Sequence, residues 1–107
     1  MLDHNPAAAC DAHGFLCDPT LWDWDFSLTV ADTLGLELLE EHKALILLIR
    51  EFYSRFGHSP SMRPLVRFAQ EQLSPSYTSL RFAQLFPERP AYTLARLAGL
   101  PKPAHCL

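Results

Sequence analysis

The sequence lacks an apolar run long enough to cross a membrane, since no stretch approaches the about 20 residues that a spanning helix needs. Residues 1–6 contain neither a basic segment nor an apolar core, so we expect no signal peptide there. The chain has 3 cysteines, and an odd number without an export signal favours a compartment that keeps thiols reduced. These absences predict a single cytoplasmic domain over 1–107 with no attachment to a membrane.

Lysine and arginine are missing from residues 1–42, which carry nine acidic side chains. Residues 43–107 hold all nine basic side chains and only three acidic ones, a balance of +6. Two interpretations stay open: the halves fold together and neutralise each other, or the second half forms a basic face that attracts an acidic partner, protein or RNA. An isoelectric point near 5.9 argues against a dedicated nucleic-acid binder.

Helical patterns cover most of the chain and predict a mostly α fold, a small helical bundle. The expected helices, with capping or breaking residues at their ends, cover 18–35, 38–56, 61–73, 76–86 and 91–98. The segment 44–49 is apolar all round, so we expect its helix to lie at the centre of the bundle. The tetrad Asp11-Ala12-His13-Gly14 is typical of a tight turn and predicts a short N-terminal β-hairpin over 7–17.

The C-terminal segment 99–107 combines two prolines with a cysteine. Pro101 and Pro103 fix φ and lack N–H groups, which favours an extended chain, and Gly99 suits the left-handed residue that closes a helix. At about 3.1 Å per residue, such an arm would carry the Cys106 thiol ~20 Å from the body. We therefore expect a mobile arm over 98–107 that lies outside the core, as a group carrier needs.

Charged groups flank the Cys106 thiol. Lys102 and His105 would lower its pKa and raise the fraction of thiolate, which is the nucleophile. The carboxylate of Leu107 opposes this effect, so the sequence leaves the net pKa open.

A zinc site is one alternative. Cys10, His13 and Cys17 have part of the spacing of a zinc site, but a closed structural site needs a fourth ligand. His4 is the nearby candidate, on a stretch with nothing to fix it. On this ligand count we expect no metal.

A helix-turn-helix is another alternative, because the helices at 61–73 and 76–86 follow one another across a short turn. Arg63, Arg67 and Arg81 would then contact phosphates. Such pairs also arise in any helical bundle, and the second helix offers few side chains that could recognise bases. A DNA-binding protein therefore stays open as a weaker alternative.

Several segments together resemble the TusE/DsrC/DsvC family of small sulfur-relay proteins along nearly the whole chain. The matching segments are Glu41-His42, 50–53, 59–66, 85–87, Pro90-Ala91 and the closing 98–107. The resemblance implies a helical bundle with an N-terminal hairpin and a mobile C-terminal arm, in agreement with the patterns above. The chain departs from the family at Pro64, Arg67, Leu80 and Arg81, which puts the identity of its docking partners in doubt.

The resemblance implies that Cys106 carries sulfur as a persulfide. Members that serve dissimilatory sulfite reductase have a second tail cysteine eleven residues earlier, and Ala95 stands at that position here. The chain thus looks like the TusE branch, which takes sulfur from a TusBCD-like complex and passes it to the tRNA 2-thiouridylase. This implies a sulfurtransferase that relays sulfur toward tRNA modification and needs no metal and no organic cofactor.

The resemblance also indicates which residues shape the arm and dock partners. These expected arm and docking residues are Gly99, Leu100, Pro101, Lys102, Pro103, His105 and Arg63. We expect no stable nucleic-acid binding. An accessory, gamma-type subunit of a sulfite-reductase-like system stays open as the alternative, which Ala95 weakens.

Overall fold

The computed structural model describes residues 11–104. Five α-helices follow a 3-10 turn at Pro19–Leu21: α1 Trp24–Leu34, α2 Glu40–Phe56, α3 Met62–Gln72, α4 Ser79–Leu85 and α5 Pro90–Leu97. The predicted mostly α fold is confirmed, and each predicted helix has a counterpart. Over the described residues, no helix is both long enough and apolar enough to cross a membrane.

The prediction of an N-terminal β-hairpin is wrong for the described residues, although the predicted turn forms. The Asp11 carboxylate accepts hydrogen bonds from the backbone N–H groups of His13 and Phe15 at 2.9 and 3.1 Å, and Gly14 has φ of +89°. Residues 7–10 of the predicted hairpin lie outside the described residues. Within 11–104 no strand follows the turn: Leu16 forms only an isolated β-bridge, and the chain then bends into the 3-10 turn at Pro19–Leu21.

The first helix begins later than the sequence predicts. Asp18 does act as a cap, but it accepts from the Thr20 N–H at 3.0 Å and caps only the 3-10 turn. Asp23 caps the α-helix itself by accepting from the Phe26 N–H at 2.8 Å. The two aspartates five residues apart thus split one predicted helix into a short turn and α1.

The centre of the bundle is α5, not α2. Helix α5 packs against each of the other four helices. Its inward residues are buried: Ala91, Leu94, Ala95 and Leu97. The small alanines allow neighbouring helices to approach closely, whereas Leu47, at the apolar middle of α2, is 53% exposed. The prediction that α2 is the central helix is therefore wrong, since one side of its apolar segment faces solvent.

A histidine near the start of α2 ties this helix to the end of α4. His42 Nδ1 accepts the Leu39 N–H at 3.0 Å, and its Nε2–H donates to the Leu85 carbonyl at 2.8 Å. The ring is buried, and it packs edge-on against Phe86. With both ring nitrogens engaged, His42 is a structural residue rather than a catalytic base.

Candidate functional site

The tail base, residues 98–104, is packed against the bundle. Ala98 and Leu100 are 0% and 1% exposed, and Pro103 is buried as well. The expectation of an arm that leaves the core at residue 98 is therefore wrong for residues 98–103. His105, Cys106 and Leu107 lie outside the described residues.

Three side chains from distant parts of the chain donate to carbonyl groups at the end of α5 and in the tail base. Ser27 donates to the Leu97 carbonyl at 2.6 Å, and Arg50 donates to the Ala98 carbonyl at 2.8 Å. Ser59 donates to the Pro101 carbonyl at 2.5 Å. The last carbonyls of a helix, and those of an extended segment, have no intrahelical donor, so these side chains satisfy them. We call Ser27, Arg50 and Ser59 the tail clamp.

Trp22 contacts two residues of the tail clamp, Ser27 and Arg50. Its Nε1–H donates to the Ser27 hydroxyl at 2.8 Å, and the Arg50 guanidinium lies 4.3 Å from the centre of its ring. Gly99 has φ of +70°, which confirms the predicted left-handed residue. A Cβ at Gly99 would come within 2.7 Å of the Trp22 side chain, so the turn is closed by contact as well as by backbone conformation.

Arg50 is the charged member of the tail clamp. Burial lowers its pKa from the ordinary value of an arginine, but an arginine stays protonated in proteins. It donates also to the Pro19 carbonyl at 3.2 Å and so joins the 3-10 turn to the tail base. The matching segment 50–53 was singled out by family resemblance, but nothing local in the sequence indicates that Arg50 reaches Ala98, 48 residues away.

Lys102 is exposed, and its charge acts on the N-terminal turn. The pKa of Asp11 lies below its ordinary value, mainly because the Phe15 N–H donates to the carboxylate, and the Lys102 charge adds a smaller effect in the same direction. This lysine was predicted to act on the Cys106 thiol.

The two other cysteines and Ala95 differ in their surroundings. Cys17 is a free, exposed thiol, whereas Cys10 lies outside the described residues. Ala95 is fully buried in α5, where its methyl group forms part of the core. Over residues 11–104, no three histidine, cysteine or acidic side chains gather in a group that could hold a metal ion.

The predicted docking residue Arg63 takes no part in the tail clamp and is exposed on α3. Arg67 follows it one turn later and is exposed too. Arg81, the third arginine of the helix-turn-helix alternative, is engaged instead: it forms an ion pair with Glu41, which also accepts from the Tyr77 hydroxyl at 3.2 Å. Burial, and then the Glu41 charge, raise the pKa of Tyr77.

The ion pairs show how the acidic and basic halves of the sequence meet. Arg81 pairs with Glu41, and Lys43 lies 3.6 Å from Glu40, so in both pairs a base of the second half meets an acid of the first. The interpretation that the halves neutralise each other is thus right for these two bases. Arg63 and Arg67 have no such partner among residues 11–104.

Nearly the whole chain is similar to one family of sulfur-metabolism proteins. A family model described as "DsrC like protein" matches residues 4–107. A relative named "Sulfurtransferase TusE homolog" from Haemophilus influenzae is 39% identical over 98 residues, which cover 91% of this chain and 90% of the relative. "Sulfurtransferase TusE" from Escherichia coli is 32% identical over 98 residues, with the same coverage of 91% and 90%.

Solved structures of similar proteins have the same fold. The solution structure of Allochromatium vinosum DsrC has a TM-score of 0.84 and 33% identity, and covers 92% of this chain and 88% of its own. The oxidized gamma-subunit of dissimilatory sulfite reductase (DsrC) from Archaeoglobus fulgidus has a TM-score of 0.77 and 34% identity, with coverage of 92% and 90%. Identity and coverage at this level extend beyond the fold to the family.

Proposed function

Because this chain belongs to the DsrC-like family, we propose that it relays sulfur between proteins as a persulfide on Cys106. The sulfur-relay role follows from relatives named sulfurtransferase that align over 91% of the chain. The assignment to Cys106 rests on one observation, the family match that runs through residue 107 and therefore includes the tail cysteine. A metal or an organic cofactor has no part in the proposed chemistry.

The transfer is a pair of thiol exchange steps. The Cys106 thiolate attacks the outer sulfur of a donor persulfide, the donor's S–S bond breaks, and the donor leaves as a thiolate. A recipient thiolate then attacks the outer sulfur on Cys106 and releases the Cys106 thiolate, so no external oxidant or reductant is consumed. Because Ala95 stands in place of a second tail thiol, residues 95–107 hold no other cysteine that could release the persulfide as sulfide.

The packed tail base limits how far the thiol can travel. Cys106 is three residues beyond the buried Pro103, and three residues span at most about 10 Å. The ~20 Å reach expected for an arm that starts at Gly99 would require the tail clamp to open. While the tail clamp is closed, a partner must approach the bundle itself to reach the thiol.

We propose a TusBCD-like complex as the donor and the tRNA 2-thiouridylase as the recipient, in the cytoplasm. The support is that the similar relatives carry the name TusE. The protein then contributes to tRNA modification through a protein partner, without stable binding of its own to nucleic acid.

The test is the intact mass of the protein after incubation with cysteine, a cysteine desulfurase and the upstream carriers. The wild-type chain should gain the mass of one sulfur atom, and peptide mapping should place it on Cys106. Cys106→Ser should gain none, while Cys17→Ser, which removes an exposed thiol in the body, should load like the wild type. Loading of Cys106→Ser to the wild-type level would show that the carrier is another cysteine.

A second candidate function is that of a gamma-type subunit of a sulfite-reductase-like enzyme. It is favoured by the similarity to the Archaeoglobus fulgidus protein, which is named the gamma-subunit of dissimilatory sulfite reductase. Under mild oxidation, peptide mapping should find no disulfide within the tail, because Ala95 offers no thiol. A stable complex with purified sulfite reductase would favour this second candidate.

DNA binding has weaker support than either. Arg81, one of its three expected phosphate contacts, is already paired with Glu41. A gel-shift assay with generic duplex DNA should show no complex at physiological salt.

A further inference from the structure

The basic side chains of the described residues fall into two groups. Five of the nine have an internal partner: Lys43 lies near Glu40, Arg55 donates to Glu51 at 2.8 Å, Arg81 pairs with Glu41, Arg50 holds backbone carbonyls, and Arg89 lies 3.9 Å from the centre of the Tyr92 ring. Arg96 and Lys102 form no ion pair within the described residues, but Arg96 Nε is buried and Lys102 is isolated. Arg63 and Arg67 are adjacent and exposed, and neither forms an ion pair or a hydrogen bond over residues 11–104, although Glu71 follows Arg67 by one turn.

These two arginines form a ridge between two surface hollows. One hollow, of about 260 Å³, lies toward α2 and is lined by Phe52, Phe56, Pro64 and Phe68 beside the arginines, with Glu71 at its edge. The other, of about 480 Å³, lies toward α4 and is lined by Met62, Val66, Gln70 and Ser79. Phe56, in the first hollow, is 54% exposed. Arginine beside exposed aromatic and methionine side chains is the composition typical of protein interfaces.

The start of α3, which carries the ridge, is close in the chain to a residue that holds the tail base. Ser59, which holds the Pro101 carbonyl of the tail base, precedes Arg63 by one helical turn's length of chain. With the tail clamp closed, a protein that receives the Cys106 thiol must approach the bundle closely. Such a protein would meet the start of α3.

We infer that the Arg63–Arg67 ridge and its two hollows dock an acidic surface of a protein partner in the relay, with an apolar side chain of that partner in the Phe56 hollow. This inference rests on the proposed function. The two unpaired guanidinium groups supply the charge complementarity, which acts mainly on the rate and specificity of association.

The hollows favour a protein over RNA as the occupant. Their walls include phenylalanine, methionine and valine side chains, which can bury an apolar side chain of a protein but offer nothing to a phosphate backbone. Binding of RNA to the ridge is the competing result that the experiment below would detect.

The experiment compares three charge reversals of equal size: Arg63→Glu, Arg67→Glu and, as the matched control, Lys43→Glu on α2. Each protein is loaded at Cys106 by a small-molecule persulfide donor and, separately, by the TusBCD-like complex. The transfer onward to the 2-thiouridylase is followed in the same way. Loading by the small donor reports on the proposed function alone, because it needs no docking surface.

All three variants should load from the small donor at the wild-type rate. Transfer from or to at least one protein partner should fall about tenfold in kcat/KM for each ridge variant, through KM, and less than twofold for Lys43→Glu. The wild-type rate should also decline with added salt more steeply than that of the ridge variants.

Three results would overturn the inference. Ridge variants that transfer sulfur to and from both proteins as fast as Lys43→Glu would show that the ridge is not the docking surface. A wild-type protein that loads from the small donor but exchanges with neither protein would do the same. Loss of tRNA binding in the ridge variants, with protein transfer unchanged, would assign the ridge to RNA. Failure of the wild type to load at all would instead reject the proposed function.

Discussion

Arg50 and Arg63 carry the same charge on neighbouring helices, yet their surroundings are opposite. Arg50 lies over the Trp22 ring and donates to the Ala98 and Pro19 carbonyls, so its hydrogen bonds are made within the protein. Arg63 is exposed in the wall of two hollows. The tail clamp therefore stabilises the fold, whereas the side chains of the ridge are accessible to another molecule.

Replacing the two arginines with methionine should separate these roles most clearly. Arg50→Met removes two hydrogen bonds from a cation and leaves the Ala98 carbonyl without a donor, whereas the Pro19 carbonyl keeps the Trp22 N–H, so the free energy of unfolding should fall by about 3 kcal/mol. Arg63→Met should change it by less than about 0.5 kcal/mol. Urea denaturation monitored by circular dichroism measures both. Equal losses would abolish the distinction between tail clamp and ridge.

The contact between Gly99 and Trp22 can be tested against a glycine that lacks such a contact. Gly99 and Gly57 have similar positive φ values, +70° and +78°, but a Cβ at Gly57 would meet nothing within 4 Å. Gly57→Ala should cost about 1 kcal/mol from the left-handed backbone alone. Gly99→Ala should cost about 2 kcal/mol or more, because Trp22 must move. A common cost for both would mean that Trp22 does not hold the turn.

Pro103 tests whether the tail base belongs to the body. It is buried, so Pro103→Gly should lower the free energy of unfolding by about 1.5 kcal/mol through lost packing and a more flexible unfolded chain. The exposed Pro75 is the control, and Pro75→Gly should cost about 0.5 kcal/mol. An unchanged melting curve for Pro103→Gly would restore the free arm that the sequence predicted.

The smallest expected effect concerns two serines near the start of α3. Ser59→Ala removes the donor to the Pro101 carbonyl and should cost about 1 kcal/mol. Ser61 occupies the N-cap of α3 without a side-chain capping bond, so Ser61→Ala should cost about 0.3 kcal/mol or less. Thermal melts of the two variants, recorded side by side, measure the difference. A larger loss for Ser61→Ala would mean that Ser59 does not anchor the tail.

The sequence predicts the helices well because their ends carry local signals. Gly35, Gly57 and Gly99 all adopt the left-handed conformation at the ends of helices, as their positions suggest. The short loop that starts at Asp11 also forms as predicted. Where two local signals compete, as at Asp18 and Asp23, the sequence does not tell which of them begins the α-helix.

The tail clamp could not be predicted because its partners are far apart in the chain. Ser27 and the Leu97 carbonyl are separated by 70 residues, and Ser59 and the Pro101 carbonyl by 42. The two prolines correctly suggest a segment that is not helical, but a pattern of φ angles says nothing about which side chains will reach its carbonyls. The central place of α5 could not be predicted either, because the packing partners of its eight residues lie on four other helices, most of them distant in the chain.

The order of the helices along the chain has a consequence for synthesis on the ribosome. The helix that contacts all the others, α5, is the last to be made among the five. Until residues 90–97 have left the exit tunnel, α2 to α4 can pack only on their neighbours in the chain, and α1 lacks the helix it packs against. The complete bundle therefore forms only when contacts between distant segments are made, which slows folding. The same late step brings the buried residues of the tail base, Ala98, Leu100 and Pro103, into place.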